Sequence, residues 1–396
     1  MPKMKHSSII AICLVCQSLF WPSFVYADLS FEDTDNSLSF SGRLSASLNS
    51  TYLEKENYAA LNNSQVSYSG QESLRLMLDS FNPSSEWSVH VKGLHQHTDN
   101  SQDNMLPQGD SVFRYHQLRE DWDSLDNTFI GYDLDRFYYK KQLDQFTLSV
   151  GRQAIDWGSG RFWQPMNVFG AFSPIDLDTD YKTGIDSLYA QYFPTPFSSL
   201  SLAYVLSTHD KDKTNKRNLD KHNFALRYRT QVAENSELAF LYAKVLERDI
   251  VAASIESDWQ GLGWRIEAAH YDDKNRDNLN QLHSVWFWIA GIDYQFNNGS
   301  IFTLEWYQNE FGLSDTQNFD ATLLQVDAFN TRPAQQQLGK QALGLSLSHD
   351  ISPLLSLQYT ALVGSIKHQD HANYSILHQV NFQYSLSNNS DLEQNP

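Results

Sequence analysis

The chain has only two cysteines, Cys13 and Cys16, both close to its N-terminus. Everything after them must do without disulfides, cysteine metal centres or thiol nucleophiles. Long apolar runs are equally scarce. The one present, Ile9 to Phe20, is too short to span a bilayer as a helix, and mean hydropathy is −0.48. Positive charge is in deficit, with 29 Lys and Arg against 47 Asp and Glu and a net charge of −18. This excludes a general nucleic-acid binder, which needs clustered cations for phosphate. Helical periodicity is also nearly missing. What the chain does have is aromatic side chains, 13% of all residues, on a polar background. A transmembrane β-barrel has that composition.

Residues 1–27 are expected to be an export signal. Lys3 and Lys5 form its basic start, Ile9–Phe20 its apolar stretch, and Val25-Tyr26-Ala27 a small-residue cleavage site. Residues 28–386 then form the barrel, and 387–396 a polar tail.

Apolar and polar residues alternate with period two along most of the chain. Leu38, Phe40 and Leu44 oppose Ser39, Ser41 and Arg43; Phe146, Leu148 and Val150 oppose Thr147 and Ser149. Trp286, Trp288, Ala290, Ile292, Tyr294 and Phe296 make the longest apolar row. Short turns (82–85, 141–145, 194–198, 232–235, 258–260, 297–299, 350–353) alternate with longer polar segments (53–70, 96–127, 154–182, 208–220, 272–282, 311–338, 367–372). Only the link near Glu247 is shorter than its place requires. These features predict an all-β, closed antiparallel transmembrane barrel of about 16 strands, within about 14–18. Short turns would face the periplasm and long loops the outside.

A soluble sandwich would also alternate. Three features favour the barrel. Runs reach about 9–11 residues, the length a tilted strand needs to cross hydrocarbon. Tyr52, Trp87, Trp306, Tyr307, Tyr359 and Tyr384 fall near strand ends, where an aromatic girdle belongs. Arg75, Lys92, Arg227, Arg229, Arg265, Glu267 and Glu305 fall on the polar parity, which suits a wet lumen and makes them lumen-facing candidates.

The densest motif is the run from Gly151 to Phe169, GRQAIDWGSGRFWQPMNVF. Its candidate residues are Arg152, Gln153, Asp156, Trp157, Gly158, Gly160, Arg161, Trp163, Pro165 and Asn167, continued by Asp176, Asp178, Asp180 and Lys182. The glycines allow positive φ, and Arg beside Trp suits stacking and ion pairing in a compact loop. The run GRQxxxWGxGRFWxPxNVF with its acidic continuation resembles the signature box of alginate-export-like, porin-like outer-membrane barrels of proteobacteria. The resemblance covers about 40 residues, from Phe146 to Leu188. It implies a barrel with a loop, here 151–182, folded near the lumen, and in one branch export of an anionic polysaccharide. This sequence departs from that branch in its mixed lumen charge and its net charge of −18.

Other chemistry has weaker support. Asp176, Asp178 and Asp180 open like a calcium loop, but Tyr181 stands where glycine is needed and Ser187 where the bidentate glutamate belongs. His95 and His97 lack a third metal ligand, and no G-x-S-x-G elbow marks a hydrolase. The expected function is a passive outer-membrane channel, not an enzyme and without cofactor or metal. Its partners would be outer-membrane lipid, lipopolysaccharide and a small or polymeric solute. The alternatives are a non-conducting assembly barrel that binds a partner through its outer loops, or an outer-membrane hydrolase. Were Arg152 and Arg161 to form a constriction, replacing both would raise conductance.

Overall fold

The computed structural model describes residues 26–33, 36–52, 66–98, 112–116, 118–125, 128–170, 182–207, 222–272, 284–310, 312, 339–353, 355–368 and 371–384. The expected signal up to Val25, the polar tail 387–396 and Asp176, Asp178 and Asp180 lie outside the described residues.

Eighteen strands form one antiparallel sheet. They are β1 (Tyr26–Asp33), β2 (Asn36–Tyr52), β3 (Val66–Asn82), β4 (Ser85–Thr98), β5 (Arg119–Leu125) and β6 (Thr128–Leu143). Next come β7 (Phe146–Gln153), β8 (Ile185–Thr195), β9 (Ser198–Leu206), β10 (His222–Ala233), β11 (Ser236–Val245) and β12 (Arg248–Trp259). The last six are β13 (Leu262–Asp272), β14 (Ser284–Gln295), β15 (Ile301–Asn309), β16 (Gln341–Ser352), β17 (Leu355–His368) and β18 (His371–Tyr384). Each strand pairs with its sequence neighbour, except that β4 pairs with β6. The short β5 lies along the upper half of β6, at Thr128–Asp133, while β7 takes the lower half of β6, at Phe137–Leu143. No helix among the described residues is long and apolar enough to cross a membrane.

The expected short turns are where the alternation placed them. The link at 246–247 is tight because Leu246 (φ 50°) and Glu247 (φ 65°) both adopt positive φ, as a two-residue hairpin requires. Two expectations need correction. Segment 96–127 contains strand β5, whose run Arg119–Leu125 carries no apolar alternation to announce it. Segment 367–372 is not a long connection, because β17 and β18 pair all the way to His368 and His371.

The two faces of the sheet differ. Leu38, Phe40, Leu74, Leu76, Phe146, Leu148, Val150, Leu200, Leu202, Phe240, Trp286, Trp288 and Trp306 are exposed on the outer face. The opposite parity forms an inner face of serines, charged side chains and a packed apolar zone. A water-soluble fold would place these in the reverse order. The sheet also curls. The loop after β7 touches Tyr189 on β8 through Trp157 and Tyr307 on β15 through Trp163. In a flat sheet those strands would stand about 34 Å apart, and a six-residue span of about 20 Å could bridge them only with loop and rings fully outstretched, whereas here both the loop and its rings are packed.

Candidate functional site: the box loop on the inner face

β7 and β6 approach so closely at Gly151 (φ 120°) that an added Cβ would stand 2.2 Å from the Phe137 carbonyl oxygen. Beyond Gln153 the alternation stops and the chain leaves the sheet, running as a compact loop over the inner face. Asn167 organises it. Its Oδ1 accepts from the Trp157 N–H at 2.6 Å and the Gly158 N–H at 3.1 Å, and its Nδ2 donates to Asp156 at 2.6 Å and to Gln164. Gln164 Nε2 donates in turn to the Gly160 carbonyl at 3.1 Å. At Gly160 an added Cβ would fall 1.7 Å from the Trp163 carbonyl oxygen, so the turn admits only glycine.

Two fully buried carboxylates hold this loop to the wall. Glu305 on β15 accepts the backbone N–H groups of Arg161, Phe162 and Trp163 at 2.8, 3.0 and 2.9 Å. Glu267 on β13 accepts the Ser159 N–H at 2.7 Å, the Ser159 hydroxyl at 2.9 Å and the Met166 N–H. A loop cannot pair its own backbone groups as a strand does, and burying them unpaired is costly. The carboxylates supply the missing acceptors, and charge-assisted bonds are the stronger kind.

Apolar contacts complete the seat. Trp163 is fully buried and stacks on Tyr307, with ring centroids 5.1 Å apart and planes 15° from parallel. Trp157 donates to the Tyr189 hydroxyl at 3.4 Å, Tyr271 donates to the Pro165 carbonyl at 3.4 Å, and Phe169 meets Phe113 edge-on at 5.5 Å. Alanines 203, 225, 239, 243 and 269, all buried, leave room on the wall for these rings.

The candidates from the sequence therefore separate into groups. Trp157, Gly158, Gly160, Trp163, Pro165 and Asn167 build the loop. Arg152 is a strut in the wall. Its Nε bonds Asp186 at 2.7 Å, Nη1 donates to the Leu134 carbonyl at 2.8 Å, and Nη2 reaches Asp186 and the His116 carbonyl. Gln153 is buried and accepts from Ser149. Only Arg161, with its side chain 62% exposed, and Asp156, at 48%, turn charge from the loop to water. Arg152 is thus buried away from any opening, against the expected double-arginine constriction, while the exposed Arg161 stands with Nε 3.5 Å from Asp293. Lys182 donates to Asp156 at 3.2 Å, and burial pushes its amine down to about 8 while the Asp156 charge partly restores it.

Of the lumen candidates, Arg75, Arg265, Glu267 and Glu305 are buried on the inner face; Lys92 and Arg227 are half-buried and Arg229 is exposed there. Arg229 pairs with Glu237 at 3.5 Å.

Sequence reasoning missed Arg114, which is fully buried. It donates to both Asp133 oxygens (2.6 and 2.8 Å), to Asp135 (3.2 Å) and to the Gly184 carbonyl (2.9 Å). It comes from a segment with no periodic signal. Asp293 was missed too, although strict parity along β14 marks it as inner-facing. Ser88, His90 and Asp79 meet on the inner face, but Ser88 Oγ and Asp79 Oδ1 both approach His90 Nε2, each at 3.0 Å. A proton relay needs them on opposite ring nitrogens.

No family model matches the chain, and no curated protein matches it in sequence. Solved structures do match in fold. OccAB4 of Acinetobacter baumannii is 11% identical with a TM-score of 0.53, covering 89% of this chain and 89% of its own. OmpF of Salmonella typhi, solved with daunomycin, is 7% identical with a TM-score of 0.52, covering 89% of this chain and all of its own. At these identities the likeness is one of fold.

Proposed function

We propose that the sheet closes into an outer-membrane β-barrel forming a passive channel, narrowed from one side by the loop 154–169. The observation that carries this reading is the inside-out distribution of side chains. The outer row on β14, from Trp286 to Phe296 just past the strand, is exposed and apolar. At about 3.4 Å per residue and a tilt near 40° it is about 26 Å tall, the height of an outer-membrane apolar band. The curl of the sheet and the fold shared with OccAB4 and OmpF support closure. Lipid, with lipopolysaccharide in the outer leaflet, would cover the outer face, and residues 1–27 would direct export. The box from Gly151 to Phe169 is the reason to group the chain with the alginate-export-like barrels.

Selection would be passive, by bore width and lining charge. A second reading, a sealed barrel that does not conduct, draws on the tight seat of the loop around fully buried Trp163 and Met166. Liposome swelling separates the two. Proteoliposomes that swell in small sugars support the channel. A protein that shifts on unheated gels as a folded barrel yet gives no swelling supports the sealed form.

A further inference from the structure

We propose that His95 and His97, held from behind by Glu72 and Thr128, form a site for a borderline divalent cation such as Zn²⁺ on the outer face, at the upper edge of the apolar band. The inference goes beyond the channel reading; it needs the outward face and holds whether or not the pore conducts. The two histidines are two residues apart on β4, so they share one face and stand about 7 Å apart along the strand. The register places His95 directly opposite Glu72 on β3, whose parity is that of the exposed Leu74 and Leu76. From Ser85 at the short turn, His95 is ten residues up β4. At a tilt near 40° that is about 25 Å, the height at which an apolar band ends. Each ring is oriented through one nitrogen. His95 Nδ1 meets the Glu72 carboxylate, and His97 Nδ1 lies 2.9 Å from Thr128 Oγ1 on the opposite neighbouring strand. A carboxylate only accepts, so Nδ1 of His95 carries the proton, and in the neutral ring Nε2 keeps its lone pair. Thr128 Oγ1 can hold His97 in the same state. Metal-binding imidazoles are ordinarily fixed in this way, one nitrogen on an oxygen acceptor and the other on the ion.

Among the described residues neither Nε2 atom has a hydrogen-bond partner, and both side chains are exposed, that of His95 by 45%. Stability does not account for the arrangement, because an exposed ion pair such as Glu72–His95 contributes little. Two imidazoles favour Zn²⁺, Cu²⁺ or Ni²⁺ over Ca²⁺ and Mg²⁺, which seek oxygen. No group of three His, Cys, Asp or Glu side chains closes on a metal among the described residues. The remaining coordination positions therefore belong to water, and the ion stays exchangeable, unlike that of a closed four-ligand structural site. The chain's net charge of −18 raises the concentration of cations near its surface.

The test is equilibrium dialysis of the folded full chain in detergent against Zn²⁺, counting the metal bound per chain. The chain has 13 histidines, so the readout is the difference between variants. Replacing both residues, His95→Gln with His97→Gln, should remove one equivalent relative to the wild type. Each single variant should lose the same equivalent, because one imidazole alone holds the ion too weakly. Glu72→Gln should keep the equivalent and weaken its affinity roughly tenfold, by releasing the His95 ring. All three side chains are exposed, and unheated gels check that each variant is folded. An unchanged count in the double variant, or an affinity that Glu72→Gln leaves untouched, overturns the proposal. Should the double variant fail to fold, the single variants and Glu72→Gln still decide.

Discussion

The inner face holds its parts together in two different ways. On β9–β16 a loop is bound through its backbone, with six N–H or O–H groups delivered to two glutamates and rings packed into alanine-lined space. On β3–β8 side chain meets side chain, in a chain of ions running through Arg75, Asp135, Arg114 and Asp133, with Arg152 and Asp186 beside it. The first arrangement fixes the position of a segment. The second fixes the edges of strands where β7 stops short and residues 112–116 fill the space beside β6 and β8. A glutamate that takes backbone N–H groups asks little of the side chains it anchors, whereas an ion network needs each partner in place.

Removing a clamp is the largest perturbation. Glu305→Ala leaves three buried N–H groups without acceptors and should cost roughly 5 kcal/mol. The cost should appear locally, as new trypsin cleavage at Arg161 in a protein that remains folded on unheated gels. Arg114→Met should cost roughly 4 kcal/mol, because it removes both bonds from Asp133 and leaves Asp135 with Arg75 and the Gly184 N–H alone. Here the comparison predicts the opposite pattern, a lower denaturant midpoint for the whole sheet with the loop still protected at Arg161. If the two variants gave the same protease pattern, the division between loop seat and wall would fail.

How much of this could be read from the sequence follows from the same division. Period-two alternation exposed the strands and the inner parity, so Glu267, Glu305 and Arg265 were found as inward charges without any knowledge of their partners. Gly158, Gly160 and Pro165 marked the loop. The sequence showed neither that two distant glutamates close on that loop nor that Arg152 is a strut. Those contacts join positions more than 100 residues apart, or cross strands whose order is not written locally. Arg114 lay in a segment with no period at all, and β5 has none of the apolar alternation that defines its neighbours.

Lys182 offers a smaller, pH-dependent test of the seat. Burial holds its folded-state value at about 8, below its usual 10.5. The unfolded chain therefore binds the proton more readily than the folded one between those values. Stability should rise by roughly 3 kcal/mol as pH increases from about 8 towards 10.5, and stay flat in this respect below 8, where both states are protonated. Lys182→Met should remove that rise, as read by guanidinium midpoints across the range. The smallest effect belongs to the exposed Arg229–Glu237 pair. Arg229→Gln should change the midpoint by less than about 1 kcal/mol, with less still at high salt.

The most direct test of the central claim is single-channel recording of the wild type beside Glu305→Ala in planar bilayers. The account predicts discrete, reproducible openings for the wild type and larger steps once the loop is released from its seat. A demonstrably folded protein that stays silent in both forms, or wild-type openings left unchanged by loop release, would contradict it.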